Sequence, residues 1–192
     1  MTLPRPWTTA ATIGDLGTAM AGWIDGRLPA RPGYFGPAVD EETIPLVPTL
    51  IALCRAGYVT SSSQPGDSGR AFDGRPYRQR AGIEGVISAT HPALDRLLSL
   101  KDRGLIVCAH GPRHAIGRLD GETVTEWGGR PYTWFGRRLS PRELRAEWHG
   151  IGDEAMKHLA TTGVQLTVID PRWGIDTGLW SALRTVLTGR SD

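Results

Sequence analysis

Between Tyr77 and Ala109 the chain reads strand, helix, strand, and this order restricts the fold more than any other stretch. Tyr77 to Ser88 alternates partly between polar and apolar residues, as a strand does, and His91-Pro92 breaks it. Leu94, Leu97 and Leu98 then fall at helical spacing, and Gly104 ends the helix. Leu105-Ile106-Val107-Cys108-Ala109 is short and apolar, the signature of a buried strand. Together they predict a βαβ unit with a right-handed crossover.

The flanking segments extend this to an α/β fold: a single domain over 1–192 with a mixed central sheet, an antiparallel ribbon and helices on the faces. Residues 1–11 form an N-terminal arm anchored by Trp7. Thr12, with Asp15 three residues on, caps a helix ending near Gly26. Residues 27–42 are rich in Gly and Pro and read as loop. Thr43 caps a second helix that Gly57 stops, although Pro48 fits it poorly. Residues 64–77 read as a second long loop. In the ribbon from 114 to 135, Asp120-Gly121 joins Ala115–Leu119 to Thr123–Trp127, and Gly128-Gly129 gives another turn. Ser140-Pro141-Arg142-Glu143 starts a long helix, bent at Gly150 and Gly152 and stopped by Gly163. Val164–Ile169 is the last strand, and Asp176 or Thr177 caps a terminal helix.

Composition sets the limits on function. With 40% hydrophobic and 22% charged residues, a chain of 192 residues can fold around a full core. No apolar run approaches the roughly 20 residues of a membrane span, and no signal peptide opens the chain, so no membrane role and a cytoplasmic location are expected. Net charge is +2 without a basic run, which argues against nucleic-acid binding. Twenty of the 22 basic residues are arginine, so no single arginine stands out as an anion ligand on composition alone. Cys54 and Cys108 lie in apolar patterns and read as core residues, not as a disulfide or a thiolate nucleophile.

The polar stretch Thr60-Ser61-Ser62-Ser63-Gln64 is the predicted binding site. It follows Tyr58-Val59, and Pro65-Gly66 is expected to turn the chain sharply after it. Its hydroxyls can cradle a phosphate, carboxylate or sugar, and Gln64 can read a donor–acceptor pair. On this reading Gln64→Ala leaves stability unchanged and weakens ligand binding. Arg78 and Arg80 share one strand face and could clamp an anion; a solvated edge is the blander alternative. His110 and Asp170 each follow a strand, so His110 is a candidate general base with Asp170 to orient it. As a metal ligand His110 would need a carboxylate or third imidazole from elsewhere, since the Gly-Pro before His114 prevents helical spacing; the loop lacks the Lys-Ser/Thr of a P-loop, which argues against nucleotide triphosphate hydrolysis, and no metal and no cofactor are predicted.

Four segments resemble an uncharacterised actinobacterial protein family: Thr12–Leu16, Arg31–Pro37, Ala56–Thr60 with Ser63-Gln64-Pro65-Gly66, and Val168–Gly174. The resemblance spans nearly the whole chain and implies one domain. It marks the Ser-Gln-Pro-Gly motif but implies no chemistry. The expected function is thus binding, with or without turnover, of a small polar or phosphorylated metabolite at Ser61–Gly66. The alternative is a non-catalytic protein–protein interaction module using loops 27–42 and 64–77.

Overall fold

The computed structural model describes residues 2–35, 39–176 and 178–188. Helix α1 (Arg5–Thr8) lies within the predicted arm and buries Trp7 completely. Helix α2 (Ile13–Ile24) starts at a capping box in which Thr12 and Asp15 exchange hydrogen bonds. A two-stranded hairpin, β1 (Ala30–Arg31) and β2 (Tyr34–Phe35), occupies part of the segment expected to be loop. A 3-10 turn (Glu41–Leu46) absorbs Pro45 and buries Thr43, so Pro48 falls in the first turn of α3 (Val47–Arg55), where its missing N–H costs nothing. Strand β3 (Val59–Gln64) contains the whole serine run, β4 is Asp67–Arg70 and β5 is Pro76–Ser88. Helix α4 (Leu94–Leu98) leads to β6 (Ile106–Gly111), β7 (His114–Ile116), β8 (Glu122–Trp127) and β9 (Arg130–Phe135). The predicted long helix is two, α5 (Pro141–Glu147) and α6 (Asp153–Thr162), because Gly150 takes φ +89° between them. Strand β10 (Gly163–Trp173) and α7 (Leu179–Thr188) complete the chain. Of the two residues expected to cap α7, Thr177 lies outside the described residues, and Asp176 accepts from the Gly66 N–H and from Trp180 Nε1.

The α/β class holds, and the strand pairings refine it. The main sheet runs β7-β6-β10-β5-β8-β9, with β3 and β4 also on β5, and every pairing among the described residues is antiparallel. Strands β5 and β6 both oppose β10. They therefore run parallel to each other with β10 between them, so the predicted βαβ unit exists in split form. Pro65-Gly66 makes no sharp turn. Gln64 pairs with Gly82 and Asp67 with Gln79, in one unbroken register along β5. The true turn lies between β4 and β5, where Gly74 has φ +78° and donates to the Ala71 carbonyl. Asp120-Gly121 joins no hairpin, since β7 pairs with β6 and β8 with β9. Gly128-Gly129 does make its turn, with both residues at positive φ.

Directly paired residues share a face, and faces alternate along a strand. One face presents Ile83, Ile87, Leu166, Val168, Val107 and Ala109 to the main core under the helices. The opposite face carries Ser62, Glu84 and Thr167 in one row across β3, β5 and β10, with Gln165 and His110 in the next. Phe135 packs over the neighbouring Gly82 in a small second cluster with Val124 and Ile169.

Candidate functional site

The site forms where β3 leaves regular pairing. Thr60 pairs with Gly85 but Ser62 with Glu84, so Ser61 is the extra residue of a bulge. Among the described residues β3 pairs only with β5, which leaves the bulge on a sheet edge. A pocket of about 180 Å³ opens there, lined by Thr60, Ser61, Ser62 and Ser63 on one side and by Trp23, Arg31 and Tyr34 on the other.

The opposite wall is built by a short turn. Pro32-Gly33, with Gly33 at φ +73°, supplies the chemistry of a type II turn and pairs Arg31 with Tyr34. Both side chains therefore project from one face of the hairpin. The Arg31 guanidinium lies 5.0 Å from the Trp23 ring centre and 5.8 Å from that of Tyr34. Trp23 and Tyr34 meet edge to face at 5.8 Å. A buried bond from Trp7 Nε1 to the Ala30 carbonyl (2.9 Å) fixes the hairpin to α1.

Arg31 forms no ion pair among the described residues. Its one side-chain hydrogen bond among them is long, 3.5 Å, to the Pro32 carbonyl. Burial pushes its pKa below the usual guanidinium range, and the charge of Glu147 pulls the other way. Trp23 is only 7% exposed, yet its Nε1–H has no acceptor among the described residues. A half-buried guanidinium without an ion-pair partner and a buried N–H donor without an acceptor thus line one pocket, and native structures rarely leave such a donor unpaired.

A second chamber of about 250 Å³ shares Ser61 and Ser62 with the first. Its lining includes Glu84, Glu147, Trp134, Trp148, Gln165 and Thr167. The Gly136 N–H donates to Glu84 Oε2 at 3.0 Å. Burial pushes the Glu84 carboxyl above its usual range, the Gly136 bond counters this, and the charge of Glu147 adds to the rise. Gly136 can lie this close because it has no side chain: at its φ of +80°, a Cβ would come within 3.1 Å of Cys108 Sγ. Its carbonyl also meets His110 Nε2 at 3.3 Å.

Of the residues predicted from sequence, Thr60, Ser61, Ser62 and Ser63 line the first pocket together. The others lie elsewhere. Gln64 is buried and its amide is spent on the fold: Nε2 donates to the carbonyls of Arg80 (2.9 Å) and Val124 (3.1 Å), and Oε1 accepts from Thr125 (3.4 Å). Arg78 pairs with Glu126 at 2.8 Å, Arg80 donates to the Thr123 carbonyl, and both guanidinium groups stack on Trp173. They do share a strand face, but neither lines the pocket of the serines. His110 is buried inside β6 opposite Gln165, and Asp170 lies five residues further along β10, roughly 16 Å away at ~3.3 Å per residue. Asp170 is fully buried and accepts from the Arg172 backbone N–H and twice from its guanidinium. It has no contact with His110, so the two form no catalytic pair.

A family model described as a domain of unknown function (DUF6919) matches residues 2–190. The chain belongs to that family. Comparison with curated proteins gives no match. The DUF6919 domain draws its cleft from segments far apart in the chain, and sequence patterns pointed to only one of them. Glu84 did leave a trace, as the single charge in Gly82-Ile83-Glu84-Gly85-Val86-Ile87. Arg31 sits at a Pro-Gly turn, but an arginine-rich composition hides it. Trp23 and Glu147 gave no signal, because each also fits the amphipathic pattern of its helix.

Proposed function

We propose that this protein binds a small anionic metabolite, a carboxylate or a phosphate ester, in the pocket between the β1–β2 hairpin, α2 and the bulged edge of β3. Arg31 is the charge partner, Trp23 Nε1–H a second donor, and the hydroxyls of Ser61, Ser62 and Ser63 complete the cradle. The observation that carries this reading is the Arg31 guanidinium, which forms no ion pair among the described residues although Asp40 also lines its pocket. A partly buried guanidinium has lost some of its hydration, so an anion that enters gains more there than at the surface. The pocket volume equals that of about six liquid waters, enough for one phosphate or carboxylate group.

The test is a titration with inorganic sulfate or phosphate, followed by the indole N–H signals in a two-dimensional NMR spectrum. The Trp23 signal shifts in the wild type and stays fixed in Arg31→Gln. An unchanged Trp23 signal at saturating anion, or equal binding by Arg31→Gln, refutes the reading.

A second reading, protein recognition, rests on a different feature. Phe72 is 96% exposed at the tip of the β4–β5 turn and meets Trp127 at 5.7 Å, which in turn meets Tyr132 at 5.6 Å. Such an exposed aromatic row fits a partner surface. Phe72→Ser would weaken that association and leave anion binding unchanged.

A further inference from the structure

The cleft is bipolar. Its first chamber holds Arg31, which has no ion-pair partner among the described residues, the orphan Trp23 N–H and one carboxylate, Asp40, and the second holds Glu84 with Glu147. Ser61 and Ser62 line both. Arg137 also borders the second chamber but is engaged by Glu143 at 2.7 Å, which leaves the Glu84–Glu147 pair without an ion-pair partner among the described residues. Gly33, at the turn that carries Arg31, approaches the Glu147 backbone: a Cβ there would lie 3.8 Å from the Glu147 carbonyl oxygen. The two charged walls are therefore close in space although far apart in sequence.

We infer that the ligand is zwitterionic: its carboxylate or phosphate sits on Arg31 and its ammonium group enters the Glu84 chamber. This inference rests on the anion-binding reading above and specifies the rest of that ligand. Three features of the second chamber suit an ammonium group. Two carboxylates repel each other until a cation lies between them. Trp134 and Trp148 supply aromatic faces that attract a cation. Gln165, by contrast, does not compete, since its amide is paired with both backbone groups of Leu139. The serine hydroxyls at the junction can bond either end of the ligand.

The spacing of the two groups is scanned with ω-amino acids from glycine to 6-aminohexanoate, each titrated beside the unsubstituted carboxylate of equal chain length. Dissociation constants come from the same indole N–H signals. The expected result is at least one amino acid binding about tenfold or more tightly than its amine-free counterpart, with shifts at Trp134 or Trp148 as well as Trp23. That preference is lost in Glu84→Gln, while sulfate binding is kept. Should Glu84→Gln fail to fold, Glu147→Gln at the exposed mouth serves in its place and reduces the preference in the same way. Equal affinity of amino acids and plain carboxylates across the series, with sulfate still bound through Arg31, overturns the zwitterion and leaves the anion pocket standing. Failure of sulfate and of every carboxylate to bind overturns both.

Discussion

Replacing Gln64 by alanine separates a binding role from a structural one. The Gln64 amide joins β3 to the strand beside it and to β8 by donating to the carbonyls of Arg80 and Val124. Alanine removes both bonds and leaves two acceptors behind, that of Val124 buried and that of Arg80 partly so. A buried hydrogen bond lost with one partner left behind costs about 1–3 kcal/mol. The Thr125 bond, at 3.4 Å, is too long to add much. Two such losses, partly relieved by relaxation, come to about 2–4 kcal/mol. For a chain of this length each kcal/mol moves the melting temperature by about 2–4 °C, so Gln64→Ala should melt about 5–15 °C below wild type. Gln64→Glu should be no better, because an oxygen would then face a carbonyl oxygen. Calorimetry on both variants beside the wild type gives the answer. A melting temperature within about 1 °C of wild type for Gln64→Ala would show that the amide is dispensable and that the structural reasoning fails.

Glu84 predicts a dependence on pH. Its folded pKa is raised, by burial first and by Glu147, against the Gly136 N–H and the charge of Arg137. Below the ordinary glutamate pKa of about 4.3 both states hold the proton and the cost is absent; as pH rises, the unfolded chain ionises first and stability falls until the folded pKa is passed. Glu84→Gln should therefore gain stability relative to wild type between pH 4 and 7, read from urea midpoints; a constant difference would refute this. Burial pushes the Cys54 thiol up to about 12 and raises that of Cys108 as well. Both should react with an aromatic disulfide reagent only after unfolding, and rapid labelling of native protein would contradict it. At Gly66 a Cβ would lie 2.0 Å from the Ile175 carbonyl oxygen, so Gly66→Ala should destabilise by about 1–3 kcal/mol, and a wild-type denaturation midpoint would show that the loop yields freely.

Much of the chain was legible as local chemistry. The capping boxes at Thr12 and Ser140, the stop at Gly57 and the turn at Gly128-Gly129 act within a few residues, and each formed as its sequence prescribes. The long helix after Ser140 divides because Gly150 takes a left-handed conformation, which a side-chain periodicity does not register. Pro65-Gly66 reads as a turn in isolation, but β5 offers a continuous row of partners, so the chain runs straight past it. Asp120-Gly121 reads as a hairpin, but β6 and β9 claim the strands on either side.

The candidate site divides along the same line. The sequence alone determined that Thr60 to Ser63 is an unusually polar strand end, because composition within six residues reveals it. It could not determine that the Gln64 amide is spent on the carbonyls of Arg80 and Val124 while its neighbours line a pocket; those carbonyls are placed only once β5 and β8 set the register. Nor could it pair those serines with Arg31, Trp23 and Glu84. These residues meet because a hairpin, a helix and the middle of a long strand pack around one sheet edge, and packing between distant segments leaves no periodic mark in any of them.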